Sequence, residues 1–341
     1  MFRALALTAS LFVAASSKPL APYVFVAGVE GTGHHWFTSF FGKCKKAGEC
    51  ESSEVGVFEW QWVLAQIKKK PDAAQFAVRA AAAAAAREGR QPASAPRERA
   101  KAANPRALRV LNTMGARKSK RLAKQYRRSN VTVICSADFQ GKGGRPNCQS
   151  LADGEQSYPN YGGPHKPEQM PEMGFLATAL GAHGQLRVVV LTRDAAAIAA
   201  SVCDHRHFGA PLLRFRFSRE ATGDKAADAK LQCAKELELL ATAARLIAAQ
   251  VAALPATVVC DHYDQKDLTD ATRGGLARLG AYLGIDAERY AAATNAGHAP
   301  SKPEPPHPER DALVAALNEA QEGAAAACRA RGASSEAKLD A

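Results

Sequence analysis

Tyr23-Val24-Phe25-Val26-Ala27-Gly28-Val29-Glu30-Gly31-Thr32-Gly33-His34-His35-Trp36-Phe37 decides the fold. It opens with an apolar run rich in β-formers, the composition of a buried strand. Gly28, Gly31 and Gly33 follow, and Trp36-Phe37-Thr38-Ser39-Phe40-Phe41 then reads as the start of a helix. Strand, glycine loop and helix make a phosphate cradle. Glycines let backbone N–H groups converge on an anion, and the helix N-terminus adds its dipole. A tight turn that binds nothing would show the same local pattern.

The spacing Gly28-x4-Gly33 matches the start of the nucleoside-triphosphate loop. That loop continues with Lys and then Ser or Thr, which serve the β/γ-phosphates and Mg²⁺. Here His34 and His35 hold those places. The loop suits a phosphate but not Mg²⁺-assisted γ-phosphoryl transfer.

Outward from the loop, strand patterns alternate with helix patterns. Strands are expected at 131–135, 186–191 and 256–260. Helices are expected at 37–46, 57–70, 171–180, 195–205, 230–254 and 274–283. The helix at 195 is capped by Asp194. This alternation predicts an α/β fold with a parallel central sheet flanked by helices. Such sheets bind ligands beyond the carboxyl ends of their strands. The glycine loop sits at one such end and Arg193 at another.

The chain has 341 residues, of which 47% are apolar, so a large core is available. The net charge of +12 and pI near 9.4 favour polyanionic ligands. No basic stripe interleaved with aromatics is present, so nucleic acid is not the expected partner. Residues 1–17 read as a secretory signal peptide: Met1-Phe2-Arg3, an apolar core, then Ser16-Ser17. The apolar core is too short for a span of about 20 residues, and no other stretch is long enough for one, so no stable membrane span is expected if the signal peptide is cleaved; an uncleaved anchor is the alternative. The expected location is the secretory pathway, in the Golgi lumen, or outside the cell.

Residues 22–295 form the expected main domain, with an alanine-rich low-complexity insert at 73–106. Residues 296–341 read as a Pro/Ala-rich tail with one helix, at 311–331, that has no assigned partner. Residues 117–128 read as a solvated basic helix face. The loop 140–171 carries Tyr158, Tyr161, His165 and Lys166, and its length suggests a functional role. Of the eight cysteines, Cys44 and Cys50 are the best disulfide pair. Cys135 and Cys260 sit in expected central strands and read as buried thiols. No CxxC occurs, and Cys203, His205 and His207 lack a ligand spacing, so no metal site is expected. Asn130-Val131-Thr132 is a glycosylation sequon abutting a strand.

Arg193 ends an expected strand, and Ser201 lies seven residues past the cap Asp194 on the same helix face. Arg193 could fork onto a phosphate while Ser201 gives it a hydroxyl. A surface arginine and a packed serine are the plainer alternative.

The order and spacing of these motifs resemble the sulfotransferase family. The similar features are Gly31-Thr32-Gly33 after a strand, Arg193-Asp194 with Ser201, the stretch Thr257-Val258-Val259-Cys260-Asp261-His262-Tyr263-Asp264, and the helix ending at Leu283-Gly284. The resemblance covers residues 23–286. It implies a P-loop NTPase-like sandwich and sulfuryl transfer from 3′-phosphoadenosine 5′-phosphosulfate (PAPS) to a hydroxyl or amine. It implies that the backbone of Gly31, Thr32, Gly33 and His34 holds the 5′-phosphosulfate. Arg193 and Ser201 would hold the 3′-phosphate.

Two departures stand out. The family's loop carries Lys or Arg where this chain has Val29 and Glu30, so His34 or His35 becomes the stand-in. The late glycine-rich loop over the adenosine is not recognisable, and Lys302 is its only counterpart. The catalytic candidates are His34, His35 and His165, with Glu30 and Asp138 as further possible bases. The expected acceptor is a carbohydrate hydroxyl, since a secretory route and a basic surface fit glycans, with tyrosine or a small alcohol as the alternatives. The alternatives are a P-loop kinase or NTPase and a non-catalytic member of the fold.

Overall fold

The computed structural model describes residues 21–29, 31–53, 131–134, 173–180, 184–201, 203, 223–291 and 308–336. The expected signal peptide, the helices at 57–70 and 117–128, the alanine-rich insert and the loop 140–171 lie outside them.

Among the described residues five parallel strands form one sheet: β1 (Ala21–Ala27), β2 (Cys50–Ser53), β3 (Val131–Ile134), β4 (Gly184–Thr192) and β5 (Val259–Asp264). Their order is β2-β3-β1-β4-β5. β1 pairs with β3 on one side and along its whole length with β4 on the other, from Ala21↔Gly184 to Ala27↔Val190. It is central because nearly every side chain in it is apolar. Tyr23, Phe25 and Ala27 point to one face, Val24 and Val26 to the other, and all are buried. A strand buried on both faces reads as an unbroken apolar run, which is what Tyr23–Ala27 shows.

The helices are α1 (His34–Lys46), α2 (Met173–Leu180), α3 (Ala195–Ala200), α4 (Lys225–Ala252), α5 (Gln265–Thr269), α6 (Gly275–Leu283), α7 (Ala287–Ala291) and α8 (Pro308–Glu336), with a 3₁₀ turn at Ala271–Arg273. α1, α6 and α7 cover one face through Phe37, Phe40, Phe41, Leu279, Leu283 and Tyr290. Trp36 stacks on Phe40 at 5.1 Å, and Phe40 meets Tyr290 edge-on at 5.9 Å. α2, α3, α4 and α8 cover the other face through Leu176, Ile198, Leu237, Leu240, Leu317 and Ala324. No described helix is long and apolar enough to cross a membrane.

Two expectations need correction. The last strand begins at Val259, not at 256, because the Val258 N–H closes a turn onto Pro255 O at 3.0 Å. The ladder instead runs on to Asp264, opposite Thr192. Cys260 is not a thiol: it is bonded to Cys328 of α8. Cys203 is likewise bonded, to Cys233 of α4. The expected pair Cys44–Cys50 is present, and Cys135 lies outside the described residues.

The helix expected at 311–331, whose partner the sequence leaves open, is α8, and the structure supplies its partners. It runs along α4 and touches β4, β5 and α3. Leu317, Ala320, Ala324 and Cys328 form its buried stripe at helical spacing. Beyond the stripe, Arg331 donates to the carbonyl oxygens of Leu254, at 2.8 Å, and Pro255.

Candidate functional site

β1 leads away to β2 on one side of the sheet, and β4 leads away to β5 on the other. Between strands whose connections diverge, the carboxyl ends leave a crevice. The glycine loop and Arg193 stand at its two lips.

The loop is pinned from inside. Thr32 is buried; its hydroxyl donates to Val29 O at 2.7 Å and its N–H to the same oxygen at 3.1 Å. Both groups are therefore committed to the turn, and the Thr32 N–H is not free to meet an anion. Gly31, at φ 91°, takes the left-handed region. A Cβ there would stand 3.2 Å from Ile198 Cγ2, so the loop rests on α3.

α1 begins directly after Gly33. It has no side-chain cap and no acid in its first turn, while Lys43, Lys45 and Lys46 occupy its last. In its first turn the N–H groups of Trp36 and Phe37 already donate to Gly33 O, at 3.0 and 3.2 Å, and the positive end of the helix dipole falls at His34 and His35. By contrast, Asp194 caps α3 through Ala197 N at 2.8 Å, and Asp264 caps α5 through Lys266 N at 2.9 Å. His34 and His35 open α1, and their side chains lie outside the described set. Glu30, Asp138, His165 and Lys302 also lie outside it.

Arg193 crosses the crevice. Its Nη1 donates to Gly31 O at 2.9 Å, joining residues 162 apart in sequence. Burial pushes its pKa below the ordinary arginine value, against the pull of Asp194 and Asp264. Among the described residues Gly31 O is the acceptor that the guanidinium meets, and a guanidinium carries five N–H donors. Ser201 ends α3 half-buried, with its N–H on Ala197 O and Ile198 O. Among the described residues its hydroxyl bonds neither Arg193 nor the loop. The structure thus brings Arg193 to Gly31 but does not join Ser201 to them.

Beside Arg193 lies a polar chain that sequence reading missed. Arg329 Nη1 approaches His262 Nδ1 at 3.4 Å, and His262 Nε2 lies 2.9 Å from Thr192 Oγ1. Thr192 Oγ1 donates to Asp264 Oδ2 at 3.4 Å. A guanidinium can only donate, so Nδ1 accepts and the ring proton sits on Nε2. Burial, then Arg329, lowers the His262 pKa and favours this neutral ring. The chain edges a cavity of about 260 Å³ whose walls include Arg193, Asp264, Lys266, Arg273, Asn318 and Glu322. Asp264 before Gln265-Lys266-Asp267-Leu268 is a readable helix cap, and it could have located the strand end. Among the described residues no cluster of His, Cys, Asp and Glu could hold a metal ion.

Comparison with family models, with curated proteins and with solved structures yields no match for this chain, so the site's own geometry carries the functional reading.

Proposed function

We propose that the chain is a sulfotransferase of P-loop-like α/β architecture that moves a sulfuryl group from PAPS to an acceptor hydroxyl, with a glycan as acceptor. The observation that carries this is the Arg193–Gly31 hydrogen bond of 2.9 Å across the crevice. It sets a half-buried guanidinium beside a helix N-terminus that has no side-chain cap. Two anion-binding elements that close suit a ligand bearing two separate phosphate groups.

In this reading the N–H groups opening α1 hold the 5′-phosphosulfate and Arg193 holds the 3′-phosphate. The acceptor oxygen attacks sulfur, the bond from sulfur to the phosphate oxygen breaks, and 3′,5′-bisphosphate leaves. The acceptor proton passes to a base, for which His35 and His165 are the candidates. The N–H dipoles and His34 meet the charge that develops on the departing phosphate. The three disulfides among the described residues fit an oxidising compartment, consistent with the secretory lumen or the exterior.

Calorimetric titration with adenosine 3′,5′-bisphosphate and, separately, ATP tests the proposal. Bisphosphate binding that exceeds ATP binding and falls at least tenfold in Arg193→Ala is the expected result. Preference for ATP would move the chain to the kinase or NTPase class. Binding without turnover of PAPS on a glycan mixture would make it a non-catalytic member of the fold.

A further inference from the structure

We propose that Gln321 is a positioning residue for Arg193, so that α8 is a working part of the anion site. The inference rests on the reading that Arg193 holds a phosphate of the donor. Gln321 is 3% exposed and spends both ends of its amide on one residue. Its Oε1 accepts from the Arg193 N–H at 3.1 Å, and its Nε2 donates to the Arg193 carbonyl oxygen at 3.0 Å. The β4–β5 ladder stops at Thr192↔Asp264, one residue short of Arg193. A main-chain pair left partnerless in a half-buried place carries a desolvation cost, and the Gln321 amide supplies what the next ladder residue would have supplied. With N–H and C=O both held, the Arg193 backbone keeps one direction. That direction sends the guanidinium to Gly31 O at 2.9 Å.

Gln321 is itself held firmly. Leu317, one turn before it, is fully buried. Cys328, two turns after it, is bonded to Cys260 of β5. Asn318, Gln321 and Glu322 share one face of α8 and form a wall of the cavity that Arg193 also lines. The helix thus acts on the site through a main-chain clip rather than through a side chain of its own on the ligand.

The test uses the full chain, two readouts and three variants. The first readout is the rotation rate of the Arg193 guanidinium from side-chain ¹⁵N spectra, with the signal assigned by its loss in Arg193→Lys. The second is the Kd for adenosine 3′,5′-bisphosphate. Gln321→Met keeps the volume and removes both hydrogen bonds. It is expected to speed guanidinium rotation and to raise Kd at least tenfold at temperatures well below its Tm. Gln321→Glu keeps the acceptor and loses the donor; it should fall between, and it replaces Gln321→Met if that variant does not fold. Arg331→Met perturbs the same helix nearly three turns beyond Gln321, at its contacts with the Leu254 and Pro255 carbonyl oxygens. It should lower Tm and leave rotation and Kd unchanged, as a merely structural role for Gln321 would. Unaltered rotation and Kd in folded Gln321 variants would overturn the proposal. If the wild-type chain does not bind the bisphosphate, the rotation readout still decides. Faster rotation would then uphold Gln321 while the donor reading falls.

Discussion

Cys260 of β5 and Cys328 of α8 are joined by a disulfide that spans 68 residues of sequence. A cross-link restricts the unfolded chain more when it closes a longer loop. On the chain-entropy model, replacing this pair by alanine costs about 4 kcal/mol of stability. The Cys44–Cys50 link spans only 6 residues. Its replacement costs about 2 kcal/mol on the same model. Denaturant unfolding of the two double variants should reproduce this ranking. The opposite order would show that native packing, not unfolded-state entropy, sets the value of these bonds.

Gly31→Ala should destabilise by about 1–3 kcal/mol, because an L-residue is strained at its φ of 91°. The new methyl also presses on Ile198 at 3.2 Å. Gly48 has a similar φ of 79° with nothing within 4 Å of its built Cβ. Gly48→Ala therefore reports the backbone strain alone. A Gly31→Ala cost no larger than that of Gly48→Ala would mean that the loop does not rest on α3.

His262 should make the protein acid-sensitive. Burial and Arg329 lower its pKa from the ordinary 6.5, Arg278 adds to this, and Glu322 and Asp264 oppose it. A histidine with a lowered folded pKa binds fewer protons folded than unfolded. Its contribution is neutral above the unfolded pKa of 6.5. As pH falls through that value the unfolded chain protonates first, and stability drops until the folded ring also protonates. The stability lost between neutral pH and about pH 5 should be smaller in His262→Gln than in the wild type. An identical acid slope in both would exclude His262 as its source.

Tyr282→Phe should cost about 1–2 kcal/mol, the price of a buried hydroxyl's hydrogen bond. The Tyr282 hydroxyl lies 3.0 Å from Val188 O and 3.1 Å from Val259 O, bridging β4 and β5. Arg289→Ala removes an exposed pair with Glu49 at 3.2 Å. That loss should stay under about 1 kcal/mol. Thermal unfolding of both variants checks the contrast.

The half of the site built from local sequence was readable. The glycine loop, the strand before it, the helix after it and the Asp194 cap all follow from residues close in the chain. The two lips of the crevice could be named because each ends an apolar run. What the sequence concealed depends on distant partners. Gln321 looks like any polar residue in an alanine-rich helix, and its partner is the main chain 128 residues away. α8 itself hid its buried stripe, since alanine serves core and surface alike and blurs the periodic signal. β5 was placed three residues early because Ala256-Thr257-Val258 reads as strand, while the turn at Pro255 and the polar residues Asp261 and His262 disguise where the ladder runs.

The placement of α8 also sets an order of events during synthesis. The glycine loop is among the first described parts of the chain to be made, and α8 is made after every element it packs on. Until Leu317, Ala324 and Cys328 emerge, the face formed by α4, β4 and β5 lacks their side chains, and Cys260 waits without the sulfur it is bonded to. This face of the domain therefore closes after translation of the rest rather than alongside it. A ribosome stalled before Pro308 would hold a chain whose glycine loop has been made and whose Arg193 main chain still lacks its clip.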